Sequence, residues 1–303
     1  MVNGAFGGVI LSTYCSNNCV FCGSQRKLSK PEVKEQEVRV LKNLIDFRKF
    51  GIKNIEISGN DPIEYDKIIA LIKYIKEVGF EFVQLSTHGK RLADENFLDE
   101  LILSGVNKLR VPIYGSEAKI HDSVTQTRGS FNATFGGIKK LLELSKKIQI
   151  QISCLIVNQN RDNLIGIIDL GNDLGIKDFY FSIPCVSNRD YSYYIPLKRL
   201  GPYVKKSYDY ANKINFDARF MEIPYCIFGY FGELMDNKCS PPNLGRFCQP
   251  EDRSPVKDLP KYRLKKKVKM CKKCVCSNFC DGFFVNDIER FGIGNLRPIN
   301  KKG

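Results

Sequence analysis

Short apolar runs alternate with amphipathic helical patterns six times along the first two-thirds of the chain, and this alternation most limits the folds open to it. The runs are "GVILS" (8–12), "KNIEIS" (53–58), "FVQLS" (82–86), "KLRVPIY" (108–114), "IQISCLIV" (150–157) and "DFYFSIP" (178–184). Helical spacing of apolar residues follows over 36–51, 64–79, 94–105, 131–147 and 162–175, and a sixth helix fits within 196–214. Successive βα units of this kind predict an α/β fold with a parallel sheet, here a partial (β/α)6 barrel. In such folds functional groups gather at the C-terminal edge of the sheet, where strands end and loops begin. Beyond residue 214 the rhythm breaks. "FDARFMEIPYC" (216–226) reads as one more strand, and the remainder is rich in Pro, Gly, Cys and Lys. The expected organisation is a core over 1–214 and a small cysteine-rich module over 215–303, with too little apolar surface to fold without a metal.

A hydrophobic fraction of 43% and a charged fraction of 26% are those of an ordinary globular protein. No apolar run approaches the roughly 20 residues needed to cross a bilayer. The first residues carry neither a basic region nor a small-residue cleavage site, so a cytosolic location is expected. In a reducing compartment the 12 cysteines are poor candidates for disulfides, and clustered ones point to metal. Three stand close together near the start and four within "CKKCVCSNFC" (271–280); Cys154, Cys185, Cys226, Cys239 and Cys248 are scattered. The net charge of +14 is concentrated in 257–273, where nine Lys or Arg face one Asp. That run permits nucleic-acid binding, but no aromatic-interleaved RNA-binding motif accompanies it, and a solvated lysine-rich surface is the preferred reading.

The first group, "TYCSNNCVFC" (13–22), spaces Cys15, Cys19 and Cys22 as C-x3-C-x2-C directly after the first predicted strand. A structural zinc site uses four protein ligands, so three thiolates fit it poorly. A four-iron cluster held by three cysteines keeps one iron free for a small molecule. With Phe21 before the last cysteine, the stretch resembles the loop motif of the radical SAM superfamily. The resemblance implies a [4Fe–4S] cluster that binds S-adenosylmethionine (SAM) through its open iron. Reductive cleavage of SAM then yields methionine and a 5′-deoxyadenosyl radical, which takes hydrogen from a substrate.

Further positions follow from the same resemblance. "SGNDPIEY" (58–65) is similar to the family's Gly-Gly-Glu-Pro turn at the SAM amino group: Gly59 and Pro62 match, while Asn60 and Asp61 depart from it. "LSTHG" (85–89) looks like the family's Thr-Asn-Gly segment and brings Ser86 and Thr87 toward the cofactor. "IYGSEAKIHDSVTQTRGSF" (113–131) looks like a His-Asp…Gly-Ser-Phe loop shared by the molybdopterin-precursor cyclase and peptide-modifying branches. Thr125 and Gln126 stand where peptide-modifying relatives often carry Arg-Gly, and Arg128 is a substitute contact for the SAM carboxylate. His121 is read as a loop-anchoring hydrogen-bonder rather than a proton carrier. Ser153, on the fifth strand, is a SAM contact by position.

In the second group Cys271, Cys274 and Cys280 are spaced C-x2-C-x5-C, similar to the auxiliary-cluster modules called SPASM and twitch domains. A full SPASM module has a further cysteine where this chain has Phe284, which favours a twitch-like module with one auxiliary [4Fe–4S] cluster. Cys226 is the preferred fourth ligand, ahead of Cys248 and Cys239. Cys276 interrupts the spacing and is a further candidate. Zinc on Cys271, Cys274, Cys276 and Cys280 is the structural alternative, although the single residue between Cys274 and Cys276 strains a tetrahedral site.

The resemblance implies an enzyme that abstracts hydrogen from a peptide or protein, served by an electron donor such as flavodoxin or ferredoxin. The rival enzymatic reading is modification of a nucleotide, RNA or cofactor precursor. A metal-bound, non-catalytic binding scaffold is the alternative of another class.

Overall fold

In the computed structural model, residues 6–11, 14–23, 29–184, 191–228, 264–278 and 280–300 are described. Cys185, Cys239, Cys248 and residues 257–263 of the basic run lie outside them. Strands β1 (Phe6–Leu11), β2 (Asn54–Gly59), β3 (Phe82–Ser86), β4 (Lys108–Pro112), β5 (Gln149–Leu155), β6 (Asp178–Ser182) and β7 (Ala218–Phe220) form one parallel sheet in sequence order. This is the α/β architecture of a partial barrel, and β7 falls within the segment 216–226 that reads as an added strand. The described residues fall into two compact units. One holds those up to Ile113 together with Glu117–Ile152; the other holds Tyr114–Ser116 and those from Ser153 onward.

In the first unit the helices form where apolar spacing demands them. Helix α1 (Lys30–Lys49) buries Val40, Leu44 and Phe47, α2 (Ile68–Glu77) buries Ile68, Ile72 and Ile75, and α3 (Glu95–Leu103) buries Phe97, Leu98 and Leu101. Alternate strand residues Val9, Leu11, Ile55, Ile57, Val83, Leu85, Leu109 and Val111 complete that layer. Each such side chain withdrawn from water contributes about 1.5–3 kcal/mol. Helix α1 starts six residues before its apolar pattern does. The cause is local: the amide and hydroxyl of Ser29 donate to the Glu32 carboxylate at 2.9 and 2.7 Å, closing the first turn.

The loop expected after β4 contains a helix, α4 (Ala118–Thr125), before α5 (Ser130–Leu144). Gln126, not a glycine, terminates α4 in the left-handed region (φ 51°). Asp122 then caps α5, accepting from the amides of Gly129 (2.6 Å) and Phe131 (2.8 Å) and from the Ser130 hydroxyl (2.8 Å). These bonds outweigh the cost of burial and hold the Asp122 carboxyl below the usual range.

The other face of the first unit's strands is polar. Parallel strands covered on both faces are normally apolar throughout. Here Glu56 lies opposite Gln84, and Ser86 opposite Arg110. The Arg110 Nη1 meets Glu56 Oε1 at 2.6 Å, its Nε donates to Gln151 Oε1 at 2.7 Å, and the Ser86 hydroxyl donates to Glu56 at 3.1 Å.

In the second unit β6 and β7 pair through Phe181 and Phe220, whose rings stack at 5.1 Å. Helices α6 (Leu164–Asp173) and α7 (Leu197–Lys213) belong to this unit, as does a short antiparallel pair, β8 (Lys265–Lys266) and β9 (Phe283–Phe284), followed by α8 (Val285–Phe291). Among the described residues no helix is long and apolar enough to cross a membrane.

Candidate functional site

The ends of β1 and β2 are sewn together by backbone. Gly59 closes β2 at φ +133°, and a Cβ built on it would stand 2.0 Å from the Leu11 carbonyl oxygen, so only glycine fits. The next two amides turn back onto the first strand's exit: Asn60 N donates to Leu11 O at 3.0 Å and Asp61 N to Tyr14 O at 3.1 Å. Residues 14–23, which carry Cys15, Cys19, Phe21 and Cys22, are thereby held at the C-terminal edge of the sheet. Further along, Asn18 N and Val20 N each donate at 2.9 Å to the carbonyls of Thr125 and Val124 on α4.

Beneath this segment lies a buried polar brace. Asp61, fully buried, accepts at Oδ1 from the Thr87 hydroxyl (2.7 Å) and Ile63 N (3.2 Å). Its Oδ2 accepts from His88 N at 3.0 Å and faces His88 Nε2 at 2.7 Å. Glu64 accepts from Ser16 N at 2.8 Å and lies 3.0 Å from His88 Nε2. Burial pulls the His88 pKa down, but the Asp61 charge, with hydrogen bonds to Asp61, Cys15 and Glu64, prevails and lifts it to about 11. Burial likewise opposes ionisation of Glu64, yet the bonds from His88 and Ser16 keep its pKa below the usual carboxylate value. Glu64 and His88 did not stand out in the sequence, where "IEY" and "STHG" carried attention to their neighbours. The signal available was a run of polar residues immediately past two successive strands.

The three cysteine thiols converge here. After burial, the neighbouring Cys22 and Cys15 sulfurs are the largest influences on Cys19, whose pKa rises to about 12. Three neighbouring thiols form a donor set suited to a cation, because a metal removes the repulsion that, with burial, resists ionisation of Cys19. Of the remaining expected residues, Gly59, Asn60 and Pro62 form the turn itself, Thr87 serves Asp61, and the Ser86 hydroxyl points to Glu56. Arg128 is exposed between α4 and α5, and Ser153 lies on β5 in the second unit. His121 is buried against the edge of Phe131, and burial drives its pKa down to about 4, so it stays neutral.

A second sulfur-rich pocket lies wholly within the second unit. It is lined by Cys226, Cys271, Cys274, Cys276 and Cys280 together with Pro224, Met270 and Phe283. Cys226 sits in the turn Tyr225–Ile227 and Cys271 in the turn Lys269–Lys273. Burial first, then the thiols of Cys280, Cys271 and Cys274, push the Cys226 pKa up to about 12. Cys276 is fully buried, and burial first, then Cys274 and Cys280, push its pKa up to about 12. The chain is folded around these sulfurs by Cys274 N to Cys271 O (3.1 Å), Ser277 N to Cys274 O (3.0 Å) and Cys280 N to Cys276 O (2.9 Å).

A family model described as the Radical SAM superfamily matches residues 9–171, just over half of the chain. Among curated proteins, a probable GTP 3′,8-cyclase of Saccharolobus solfataricus is 21% identical over 172 residues, covering 57% of this chain and 54% of that protein. An AdoMet-dependent heme synthase of Methanosarcina barkeri is 27% identical over 177 residues, covering 57% and 49%. The chain thus spans about half the length of the curated relatives it matches. Among solved structures, Streptococcus suis SuiB bound to S-adenosylmethionine aligns at a TM-score of 0.64 and 15% identity, over 98% of this chain and 76% of that one. The protein anSMEcpe with bound AdoMet and a peptide aligns at 0.60 and 15% identity, over 98% and 93%. At these identities the structural likeness establishes the fold. The superfamily is one of enzymes that use a [4Fe–4S] cluster and S-adenosylmethionine, and this chain, by its matched segment and its fold, belongs to the radical SAM superfamily.

Proposed function

We propose that Cys15, Cys19 and Cys22 hold a [4Fe–4S] cluster with one open iron, and that the chain uses it to cleave SAM and abstract hydrogen from a peptide or protein. The observation that carries this reading is the convergence of the three thiols on a loop already fixed to the ends of β1 and β2. When bound, the cluster supplies one electron to the SAM sulfonium, giving methionine and a 5′-deoxyadenosyl radical. Everything else falls to the chain. Gly59, Asn60 and Pro62 present the turn to the SAM amino group. Asp61 has all of its acceptor positions engaged, so it works as a brace that fixes Thr87 and the His88 backbone rather than as a direct carboxylate contact. Ser86 and Ser153 are proposed SAM contacts. Arg128, exposed after α4, reaches for the SAM carboxylate, a task suited to a guanidinium fork. Phe21 shields the cysteine loop.

Residues 215–303 are proposed as a twitch-like module with one auxiliary [4Fe–4S] cluster on Cys226, Cys271, Cys274 and Cys280. The donor chemistry fits: the four thiols line one pocket, and those of Cys280, Cys271 and Cys274 act with burial on Cys226. A single tetrahedral zinc would draw its sulfurs to about 3.8 Å apart, from Zn–S bonds of about 2.3 Å. Among the described residues no three thiols lie within 4.8 Å of one another, which favours the larger iron–sulfur group. The peptide reading is supported by the two neighbours that align over 98% of the chain, one of them solved with a peptide. The curated relatives named as GTP cyclases favour a second reading, a nucleotide or cofactor precursor as substrate. A low-potential flavodoxin or ferredoxin is the proposed reductant.

The test is reconstitution under anaerobic conditions, reduction, and chromatography of the products. Wild-type protein should release equal methionine and 5′-deoxyadenosine, and Cys15→Ala should release neither while losing about four irons per chain. Failure of the wild type to cleave SAM at full iron content would leave a binding scaffold as the better reading.

A further inference from the structure

Two residues of the first cysteine loop are held from one short segment past β3. Ser16 Oγ lies 3.3 Å from His88 Nε2, and Lys90 Nζ donates to Asn17 Oδ1 at 2.9 Å, across 73 positions of the chain. The base beneath these side chains is itself fixed. Gly89 N donates to the Thr87 hydroxyl at 3.0 Å and Leu92 N to Gly89 O at 3.1 Å, while His88 O accepts from the Thr134 hydroxyl at 2.8 Å. Lys90 is half-buried, and among the described residues no carboxylate pairs with it. Asp61 and Glu64, the acids of the neighbouring brace, are both turned to His88. The Asn17 amide oxygen is neutral, so it takes one N–H of the ammonium without balancing its charge. A cation partly withdrawn from water costs free energy unless an anion answers it. Asn17 stands midway between Cys15 and Cys19, with its Cα within about 7.6 Å of each of theirs. The anion this position calls for is the one the cysteines would hold, since a four-iron core on three thiolates is negative overall and becomes more so on reduction.

We propose that Lys90 is a positioning residue of the first cluster: it ties the middle of the Cys15–Cys19 segment to the exit of β3 and keeps a positive charge beside the cluster, which raises its reduction potential. The inference rests on the reading of Cys15, Cys19 and Cys22 as cluster ligands given above. Net charge is one of the levers on a cluster's potential, and a fixed cation favours the reduced, more negative form. Residues outside the ligand set tune a metal centre in this way without touching it. A tether alone does not need a charge, because a neutral amide or hydroxyl donor serves Asn17 as well. The charge has its use in electron transfer: the higher the potential, the less reducing power the flavodoxin- or ferredoxin-like donor must supply.

The experiment uses the full chain, reconstituted as wild type, Lys90→Met, Lys90→Arg and Asn17→Ala. The first cluster is recognised as the one whose EPR signal changes when SAM is added, and its midpoint is read by redox titration before that addition. Lys90→Met, similar in length and uncharged, should lower the midpoint by the order of a tenfold change in the one-electron equilibrium, about 59 mV. Lys90→Arg keeps the charge and should stay near the wild-type value. Asn17→Ala also keeps it, and should move the midpoint less than Lys90→Met does. With the shared hydrogen bond gone, Lys90→Met and Asn17→Ala should both surrender the first cluster's iron to a chelator about fivefold faster. An unshifted midpoint in Lys90→Met, or an equal shift in Lys90→Arg, would overturn the charge role. Chelation of Asn17→Ala at the wild-type rate would overturn the tether, and it decides that point even where Lys90→Met takes up no iron. SAM binding weakened in Lys90→Met at an unshifted midpoint would make Lys90 a contact of the SAM carboxylate instead. A wild type without any SAM-responsive cluster would remove the cluster reading itself, and the inference with it.

Discussion

Replacing Gly59 by alanine tests whether the strand ends hold the cysteine loop. The new Cβ would lie 2.0 Å from the Leu11 carbonyl oxygen, 2.6 Å from its carbon and 2.8 Å from its nitrogen. All three are backbone atoms of the neighbouring strand, in register with Gly59, so no side chain can swing aside. The residue also sits at φ +133°, where an L side chain is strained by about 1–3 kcal/mol. Forcing β1 and β2 apart adds an overpacking cost of about 1–3 kcal/mol, giving roughly 2–6 kcal/mol in all. For a domain of this size the midpoint of thermal unfolding should fall by at least about 4 °C. The displacement acts on Leu11 O and Tyr14 O, the acceptors of Asn60 N and Asp61 N, so the cysteine loop loses its registration. Calorimetry and iron content after reconstitution read the two effects separately. If Gly59→Ala kept both its melting temperature and its N-terminal iron, the claim that these backbone bonds position the loop would be refuted.

Other perturbations have equally definite expectations. Arg110→Ala strands the buried Glu56 carboxylate and should cost about 3–5 kcal/mol in urea unfolding, whereas the Glu56→Ala/Arg110→Ala double variant should lose less than the sum of the singles. Asp61→Ala removes the acceptor of Thr87, Ile63 and His88; the orphaned buried donors should cost about 1–3 kcal/mol each, and SAM cleavage should fall with them. Asp287 on α8 is buried, and burial raises its pKa to about 6 although Tyr194 partly opposes this. The native state therefore binds the extra proton between the ordinary carboxyl value and pH 6, so stability is greatest at the acid end of that window and declines as pH rises through it. The decline is about 3 kcal/mol, and Asp287→Asn should abolish that part of the pH profile in denaturant titrations.

What could be read in advance was whatever local periodicity encodes. The strands of the six βα units, the cysteine loop after β1 and the turn at Gly59–Pro62 all follow from spacing within about fifteen residues. Helix α4 escaped because it is eight residues long and ends on Gln126, so neither length nor a terminating glycine marked it. The Asp61–His88–Glu64–Ser16 brace escaped for a different reason. Its members lie up to 72 residues apart, and only the register of three parallel strands brings them together. Glu56, Gln84 and Arg110 were placed on strands correctly, yet nothing local distinguishes a polar inner face from a solvated outer one. Cys226 could be connected to the distant Cys271–Cys280 group only as a preference, since chain separation says nothing about which sulfurs share a pocket.

The backbone bonds around the first cysteine loop carry a consequence for the order of assembly. The amides of Ser16, Asn18, Val20 and Cys22 are already engaged, by Glu64, Thr125, Val124 and Cys19, and Tyr14 O is taken by Asp61 N. If the proposed cluster binds here, it loads into a loop whose backbone donors are spent on protein partners. Around the second pocket the backbone bonds run between its own cysteines, Cys274 N to Cys271 O and Cys280 N to Cys276 O, so with the proposed auxiliary cluster metal and fold would mature together. A chelator should accordingly leave the first site ready for immediate refilling while loosening the second, and the two halves of the chain would recover from oxygen damage on different clocks.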